Sequence, residues 1–282
     1  MIAYLGTGLL GANFTRALLA KGETVHVWNR TFEKAKALEA EGAKAFEHAA
    51  EAVKGATRIH ITVSDDAAVD SVLETASAGF ESGAIILDHT TTSVEGAIQR
   101  TSTWAARGIT YVHAPVFMGP SNALESSGFM LISDRKDVHD KVSPWLSPMT
   151  GKLLNFGEQP GKAAGIKLIG NLFLLTLTGG FSDMLALAKA MGLSGNDIAT
   201  LFESFNPGAA APGRLKRVMS ADYDNPSWEL QMARKDARLM MEEAEKGRKS
   251  LQLVPAIARE MDRFLEKGFA HKDWSIIASE NL

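Results

Sequence analysis

The chain has 282 residues, of which 45% are hydrophobic and 22% are charged, and its formal net charge is -3 at pH 7. A slightly acidic chain has no basic surface of the kind that nucleic-acid backbones select, so we predict no nucleic-acid partner. The absence of cysteine excludes disulfides, thiolate zinc sites and cysteine nucleophiles.

Short apolar runs alternate with helical patterns up to about residue 157, which is typical of a mainly parallel sheet covered by helices. The predicted strands lie near Ile2–Leu5, Thr24–Trp28, Arg58–Val63, Ala84–Asp88, Thr110–Ala114, Phe129–Ser133 and Lys152–Phe156. The helices between them lie near Leu9–Lys21, Phe32–Glu41, Ala67–Ala78, Val94–Arg107 and Asp137–Leu146.

After Pro160 and Gly161 every predicted element is a helix, and the first runs from Lys162 towards Met191. That length exceeds most globular helices and suits a helix that links two domains. The later helices lie near Gly195–Ser204, Trp228–Lys246, Leu251–Gly268 and Trp274–Ser279.

We predict an α/β fold with two domains. Residues 1–157 form an N-terminal NADP-binding Rossmann domain with a doubly wound sheet. Residues 158–282 form an all-α C-terminal domain for substrate binding and dimerisation, which begins with the long interdomain helix. The first strand begins at residue 2, so we expect no targeting segment before the fold and a cytoplasmic location.

The most apolar stretch of the chain, Leu168–Leu187, is interrupted by Asn171, Gly179, Gly180 and Asp183. Such interruptions are more typical of a buried helix than of a membrane span. We therefore expect no membrane partner for this protein.

A glycine-rich turn follows the first strand, where the chain reads Gly6-Thr7-Gly8-Leu9-Leu10-Gly11 before a helix. In this pattern the first glycine allows the tight turn, and the second lets backbone N–H groups approach a pyrophosphate. The third lets the helix pack close to the strand, and the positive end of the helix dipole then faces the anion. The turn predicts a dinucleotide cofactor bound by residues 6–11.

Asn29, Arg30 and Thr31 end the second strand, where a site for NAD usually has an acidic residue that binds the ribose 2′-hydroxyl. Asparagine does not repel a 2′-phosphate, Arg30 can bind one through its planar guanidinium, and Thr31 can donate a hydroxyl. These residues favour NADP(H). Asn29 and Thr31 are also typical caps of a following helix, and both roles are compatible.

Further candidates lie at the ends of the next strands: Val63 and Ser64 at the third, His89 and three threonines at the fourth, and His113 at the fifth. Carboxyl ends of parallel strands face the ligand crevice of a doubly wound sheet. We expect Val63 and Ser64 to line that crevice and the two histidines to approach it, whereas the threonines can also cap the next helix. No histidine combines with carboxylates at metal-site spacing, so no metal is predicted.

Lys167 and Asn171 lie four residues apart on the long predicted helix and therefore share one face. Carbonyl reduction needs a proton for the developing alkoxide, and an ammonium group supplies both that proton and a positive charge. Lys167 fits this role, with Asn171 holding it or the substrate oxygen. Most lysines are solvated, but the neighbours Ile166, Leu168 and Ile169 argue against an open surface.

Several segments in this order resemble the β-hydroxyacid dehydrogenase family, which includes 3-hydroxyisobutyrate dehydrogenases and glyoxylate or succinic semialdehyde reductases. They are the opening turn, Ala114–Gly119, Gly165–Asn171, the pair Lys235-Asp236, and Asp273–Ser275 near the end. The resemblance covers essentially the whole chain.

The resemblance implies that Lys167 is the catalytic residue, that Thr91 contacts the cofactor near the nicotinamide and that Lys235 reaches the cofactor from the helical domain. Taken alone, Lys235 is typical of a charged surface. The resemblance also implies a homodimer or homotetramer in which helical domains pack together. Burial within one chain explains the apolar Leu168–Leu187 segment equally well.

One segment departs from the family, which usually has Asp-Ala-Pro-Val-Ser-Gly-Gly and contacts a substrate carboxylate with the serine and glycine. This chain has His113-Ala-Pro-Val-Phe117-Met118-Gly119 instead. Phe117 donates no hydrogen bond and Met118 blocks close approach of the backbone. We expect the substrate pocket at Phe117, Met118 and Gly119 to take a small molecule more hydrophobic than a short hydroxy acid.

The leading hypothesis is an NADPH-dependent oxidoreductase that reduces a small aldehyde or ketone with Lys167 as proton donor. The second is an imine reductase acting on cyclic or hydrophobic imines. Imine reductases are similar in overall organisation and bind NADP(H), but many have aspartate or tyrosine in place of the lysine. The third is a non-catalytic NADP-binding sensor, in which the pair Lys167 and Asn171 would have no purpose.

Overall fold

The computed structural model describes residues 1–282 and contains nine strands and twelve α-helices. The strands are β1 (Ile2–Leu5), β2 (Val25–Trp28), β3 (Lys44–Phe46), β4 (Arg58–Ile61), β5 (Ile85–Asp88), β6 (Thr110–His113), β7 (Val116–Phe117), β8 (Phe129–Ile132) and β9 (Lys152–Asn155). The α-helices are α1 (Leu9–Ala20), α2 (Phe32–Lys36), α3 (Ala49–Ala52), α4 (Asp66–Ala76), α5 (Val94–Ala106), α6 (Pro120–Glu125), α7 (Lys136–Leu146), α8 (Lys162–Ala190), α9 (Gly195–Ser204), α10 (Ala211–Ser220), α11 (Leu230–Lys246) and α12 (Val254–Glu266). Turns of 3₁₀ helix cover Ala37–Glu41, Ser77–Gly79, Ser147–Met149, Pro207–Ala210 and Trp274–Asn281.

Six parallel strands form the main sheet in the order β3-β2-β1-β4-β5-β6. The chain first moves outward from β1 to β3 and then continues from β4 on the other side of β1. Ligands of doubly wound sheets bind where the strand order reverses, which here is the carboxyl edge of β1 and β4. The predicted Rossmann sheet and the helical C-terminal region are both confirmed.

The central strand β1 is a continuous apolar run that is buried on both faces of the main sheet. Ile2 and Tyr4 of β1 pack in one apolar cluster, whereas Ala3 and Leu5 pack in a second one. Successive side chains of a strand point to opposite faces, so the two clusters lie on opposite sides of the sheet.

The sequence patterns did not separate β8 and β9 from the main sheet. These strands pair in parallel and form a second sheet with β7, which is antiparallel to β8. The patterns also did not predict β3, β7, α3, α6 or α10. Four of these five elements have two to six residues, too few to show a periodicity.

The chain divides into two compact units, residues 1–171 and residues 172–282. The division lies within α8, so the first turns of this helix belong to the unit that contains the sheet. The second unit has its own apolar cluster, formed by Leu230, Ala233, Met261, Phe264 and Ile276.

The long helix α8 forms as predicted, but the expectation that one chain buries it is wrong. Leu172 is 66% exposed and Leu175 is 74% exposed, and several neighbouring apolar side chains are exposed as well. By length and composition alone, α8 is long and apolar enough to cross a membrane. The sequence shows that this helix is apolar, but it does not show which residues pack against the helix.

Candidate active site

The turn between β1 and α1 needs glycine at two positions. Gly6 has a φ of +94°, and a Cβ there would overlap the carbonyl of Thr62, which directly follows the neighbouring strand β4. A Cβ at Gly11 would overlap the carbonyl of Gly6. The space beside Gly8 is open, and α1 begins directly after it at Leu9. The first N–H groups of a helix have no partner within that helix, so they are available to an anion.

A cavity of about 660 Å³ lies at this turn. Of the residues predicted to bind cofactor, its lining contains Gly6, Gly8, Leu9, Leu10, Gly11, Asn29, Arg30, Thr31, Val63 and Ser64. The lining also contains Trp28, Lys34, Thr62, Ala68, Ser71, Val72 and Thr75, which the sequence reasoning missed. The structure therefore brings the ends of β1, β2 and β4 together around one cavity.

Asn29 links the glycine-rich turn to the end of β2. Its Oδ1 accepts a hydrogen bond from the backbone N–H of Thr7 at 3.0 Å, and its Nδ2 donates to the carbonyl of Thr31 at 2.9 Å. Thr31 precedes α2, but its side chain does not cap that helix. The side chains of Arg30, Thr31 and Lys34 are all exposed. Lys34 follows Thr31 by three residues, and that spacing could have identified it because it places both on one side of a helical turn.

The residues at this cavity fit a dinucleotide. The hydroxyl of Thr7 is buried without a hydrogen-bond partner, directly at the turn where a phosphate would lie. Gly8 leaves space for close approach, and the first turn of α1 offers backbone donors. Arg30 and Lys34 add two cationic groups at the end of β2.

The three threonines after β5 differ in their exposure to solvent. Thr91 is exposed, whereas Thr90 and Thr92 on either side of it are buried. The hydroxyl of Thr90 accepts a hydrogen bond from the backbone N–H of Val63 at 3.1 Å and so connects this segment to the end of β4. Thr91 is absent from the cavity lining, and its cofactor contact stays a prediction.

His89 and His113 do not reach the crevice, contrary to the sequence-based expectation. The Nδ1 of His89 donates to the carbonyl of Ala114 at 2.9 Å, and its Nε2 lies 2.9 Å from Nδ1 of His60. The Nε2 of His113 lies 2.9 Å from the carbonyl of Thr90. Burial lowers the pKa of His89 to about 4 and also lowers the pKa of His60 and of His113. The three side chains are neutral groups of the core.

Lys167 and Asn171 share one face of α8 and are in contact. Lys167 is only 9% exposed, and its Nζ donates a hydrogen bond to Oδ1 of Asn171 at 3.0 Å. The same Nζ lies 4.2 Å from the ring centroid of Phe117, which β7 carries. Burial lowers the pKa of Lys167 below its ordinary value. This is a buried amine held by a neutral amide and an aromatic face.

Met118 and Gly119 have structural contacts of their own. Met118 packs against the apolar cluster that contains Tyr4. The backbone N–H of Gly119 donates to Oδ1 of Asn122 at 2.9 Å, at the start of α6. Within the predicted substrate segment, the contact with Lys167 is made by Phe117.

Lys235 lies on α11 in the second unit, where its Nζ is 2.8 Å from the carboxylate of Asp236. Its role towards a cofactor stays a prediction. Asp273 of the same unit is buried, and burial acts to raise its pKa. Hydrogen bonds from Ser275 and Ser227 outweigh that effect and lower the pKa of Asp273 to about 2. The motif at Asp273–Ser275 therefore stabilises the second unit.

The fold, the turn and the cavity define a dinucleotide-binding protein. The sequence profile of the NAD binding domain of 6-phosphogluconate dehydrogenase matches residues 1–157. The chain therefore belongs to this family of NAD(P)-dependent oxidoreductases, which confirms the resemblance noted in the sequence.

Relatives match over nearly the full chain. Glyoxylate/succinic semialdehyde reductase 1 of Arabidopsis thaliana is 26% identical over 98% of this chain and 96% of its own length. The 2-(hydroxymethyl)glutarate dehydrogenase of Eubacterium barkeri is 22% identical over 98% and 93% of the two chains. The solved imine reductase from Myxococcus stipitatus in complex with NADP⁺ superposes with a TM-score of 0.92 at 20% identity, covering 99% and 98%. The last likeness establishes the fold.

Proposed function

We propose that this protein is an NADPH-dependent reductase of small neutral aldehydes or ketones, with Lys167 as the proton donor. The observation that carries the proposal is the buried amine of Lys167, which contacts Asn171 and Phe117 but no carboxylate of residues 1–171. A lysine in a structural role gains little from such a position, because burial of a charged group without an ionic partner is costly.

The preference for NADPH rests on the end of β2. Arg30, Thr31 and Lys34 line the cavity, and the two cations are suited to a phosphate on the adenosine ribose. Asn29 has no charge that would repel that phosphate, and its amide is already engaged by Thr7 and Thr31. Solved imine reductases of this fold hold NADP⁺ or, in one variant, NAD⁺, so the side chains at the end of β2 decide the preference.

Reduction of a carbonyl group adds a hydride at carbon and a proton at oxygen. The reduced nicotinamide supplies the hydride when it is bound. Lys167 donates its Nζ proton to the developing alkoxide and is left as a neutral amine. Burial lowers the pKa of Lys167, which makes its ammonium a stronger acid than a solvated lysine. Asn171 accepts a hydrogen bond from Nζ at 3.0 Å and thereby orients the proton donor.

A neutral substrate is favoured by Phe117. The Arabidopsis relative is named for glyoxylate and succinic semialdehyde, both of which carry a carboxylate. In this chain the Phe117 ring lies against Nζ of Lys167, at 4.2 Å from the ring centroid, where a carboxylate partner is absent. Phe117 also offers no donor to a carboxylate, so charged acids lose binding energy relative to apolar carbonyl compounds of equal size.

Imine reduction is the second candidate. An apolar side chain at Phe117 suits a hydrophobic imine, and the fold superposes on solved imine reductases. An imine is protonated before it accepts hydride, so a lysine ammonium is less well matched to it than a carboxylic acid. Carbonyl reduction therefore remains the first proposal.

We further propose that a second copy of this chain covers the exposed side of α8. The exposed apolar side chains of this helix are Leu168, Ile169, Leu172, Phe173, Leu174, Leu175, Leu177, Phe181 and Leu185. Soluble monomers rarely expose so many contiguous apolar side chains. Further along the helix Asp183 is buried, and its carboxylate accepts backbone N–H groups from Gln252 and Leu253 at 2.6 and 2.8 Å.

A matched substrate panel tests the proposed function. Pentanal and succinic semialdehyde differ mainly in the terminal carboxylate, and 2-methyl-1-pyrroline represents cyclic imines. With NADPH, we expect kcat/KM for pentanal to exceed that for succinic semialdehyde by about tenfold or more. Faster turnover of succinic semialdehyde would contradict the neutral-substrate proposal, and turnover of the imine alone would favour the second candidate. NADPH binding without any turnover would favour a sensor.

A further inference from the structure

The ring of Phe117 and the amine of Lys167 form a cation–π contact. The Nζ of Lys167 lies 4.2 Å from the ring centroid, within the range in which an ammonium is attracted to an aromatic face. The other group that faces Nζ is the amide of Asn171, one turn along the same helix. No charged group contributes to the pKa of Lys167, which is displaced by burial alone.

Gly170 provides the space for this ring on α8. A Cβ at Gly170 would overlap Cζ of Phe117 and would lie 2.7 Å from its Cε1. Lys167 and Gly170 are three residues apart, so they are neighbours on one face of the helix. The ring therefore packs against the helix at the glycine and simultaneously covers the amine. Any larger residue at Gly170 would displace the ring.

We propose that Phe117 is a positioning residue that keeps Lys167 charged and oriented in a site without a carboxylate partner. The inference rests on the proposed function, because it concerns the proton that Lys167 donates. An aromatic face attracts the ammonium form but not the neutral amine, so it favours the protonated state.

The strength of the attraction between the Phe117 ring and the Lys167 ammonium matters for proton donation. A carboxylate at the same distance would hold the ammonium strongly and would raise the pKa of Lys167. The aromatic ring holds it more weakly, so the amine stays charged before the reaction and still releases its proton during it. The ring also occupies a position beside Nζ at which it offers no hydrogen-bond donor to an anion. Phe117 thereby makes the site selective for neutral carbonyl compounds.

Fluorinated phenylalanines at position 117 test the contact without changing the shape of the site. Successive fluorine atoms remove negative potential from the ring face, while volume and burial stay nearly constant. The pKa of Lys167 is read by NMR from ¹³Cε-labelled lysine, with Lys167→Arg for assignment. From phenylalanine to the trifluoro ring we expect this pKa to fall progressively by about half a unit to one unit. The same fluorination at Phe129, which pairs with Phe117 across β7 and β8, serves as the control and should not shift it.

The NMR readout separates the inference from the proposed function, because it does not require turnover. A Lys167 pKa that stays constant through the series would overturn the role of Phe117, whatever the activity. If Lys167 is the proton donor, the alkaline limb of kcat/KM should move to lower pH together with the NMR pKa. A moving pKa with a fixed alkaline limb would instead overturn Lys167 as the donor and, with it, the catalytic part of this inference.

Discussion

Arg30 and Lys34 are the residues on which the cofactor preference depends. Both are exposed, both line the cavity at the glycine-rich turn, and Thr31 lies between them in the chain. Each cation can form charge-assisted hydrogen bonds to a ribose 2′-phosphate, which NADH lacks. The two side chains should therefore contribute to NADPH binding and not to NADH binding.

The double variant Arg30→Ala/Lys34→Ala should weaken NADPH binding by about 10- to 100-fold. The Kd for NADH should change less than threefold, and fluorescence titration measures both. Lys36→Ala is the matched control because Lys36 is an exposed lysine of the same helix that does not line the cavity. Equal losses for both cofactors would contradict a 2′-phosphate site.

The sequence predicted much of this site at the level of residues. Spacing alone placed Lys167 and Asn171 on one helical face, and the glycine pattern placed the turn of residues 6–11 at a cavity. Contacts between residues distant in the chain were not predictable. Neither the approach of Phe117 to Lys167 nor its packing against Gly170 has a signal in local sequence, because tertiary packing creates both.

At the scale of elements, a row of rings crosses neighbouring strands of the main sheet. Tyr4 of β1 stacks on His60 of β4 at 5.6 Å, and His60 lies 5.2 Å from His89 after β5. Because Nδ1 of His89 donates to a carbonyl, its Nε2 must accept the proton that Nδ1 of His60 donates. A proton added at Nε2 of His89 would point at the N–H of His60, so the hydrogen bond between the two rings would be lost.

The row should make the protein sensitive to acid. Burial depresses the pKa of His60, of His89 and of His113 in the folded state, whereas in the unfolded chain each titrates near 6.5. Their neutral form therefore gives full stability above about pH 6.5, and stability is lost as pH falls towards the folded values. Between pH 7.5 and 5.5 the free energy of unfolding falls by about 1.4 kcal/mol for each histidine that stays neutral in the folded state.

We expect the thermal midpoint to fall by roughly 5–15 °C over that interval. In His89→Gln, which retains a donor and an acceptor but does not titrate, the fall should be smaller. His48→Gln, a variant of an exposed histidine, should behave like the wild type. A midpoint that is unchanged between pH 7.5 and 5.5 would contradict neutral burial of the row.

The sequence predicted every α-helix of eleven or more residues and every strand of four residues, but it missed the ten-residue α10. The six strands of the main sheet include β3, which has three residues and alternates too briefly to be detected. The second sheet was merged with the first because pairing partners are set by the fold rather than by a strand's own residues. His89 and His113 were expected at the crevice for a similar reason, since the end of a strand does not determine where a side chain points.

At the scale of the molecule, the exposed apolar side of α8 is the largest feature that one chain leaves unexplained. Burial of exposed leucine and phenylalanine side chains is favourable, and a second copy supplies an equivalent surface by symmetry. Two charges on this side of the helix, in Leu172→Glu/Leu175→Glu, should convert a dimer into a monomer in sedimentation velocity.

The control for this change is Glu203→Gln, which alters an exposed residue of α9 without adding charge to α8. The wild type should sediment with at least twice the mass of one chain at micromolar concentration. A wild-type protein that sediments as a single chain would contradict the second copy. Recovery of the wild type only in the detergent-solubilised membrane fraction would instead favour insertion of α8 in a bilayer.

The central claim is that Lys167 donates the proton in NADPH-dependent carbonyl reduction. Its most direct test is kcat/KM for pentanal in Lys167→Ala, compared with Lys162→Ala, which removes an exposed lysine from the start of the same helix. We predict a loss of about 10²- to 10⁴-fold for Lys167→Ala alone, with the Kd for NADPH unchanged in both variants. Turnover by Lys167→Ala within a few-fold of the wild type would contradict the claim.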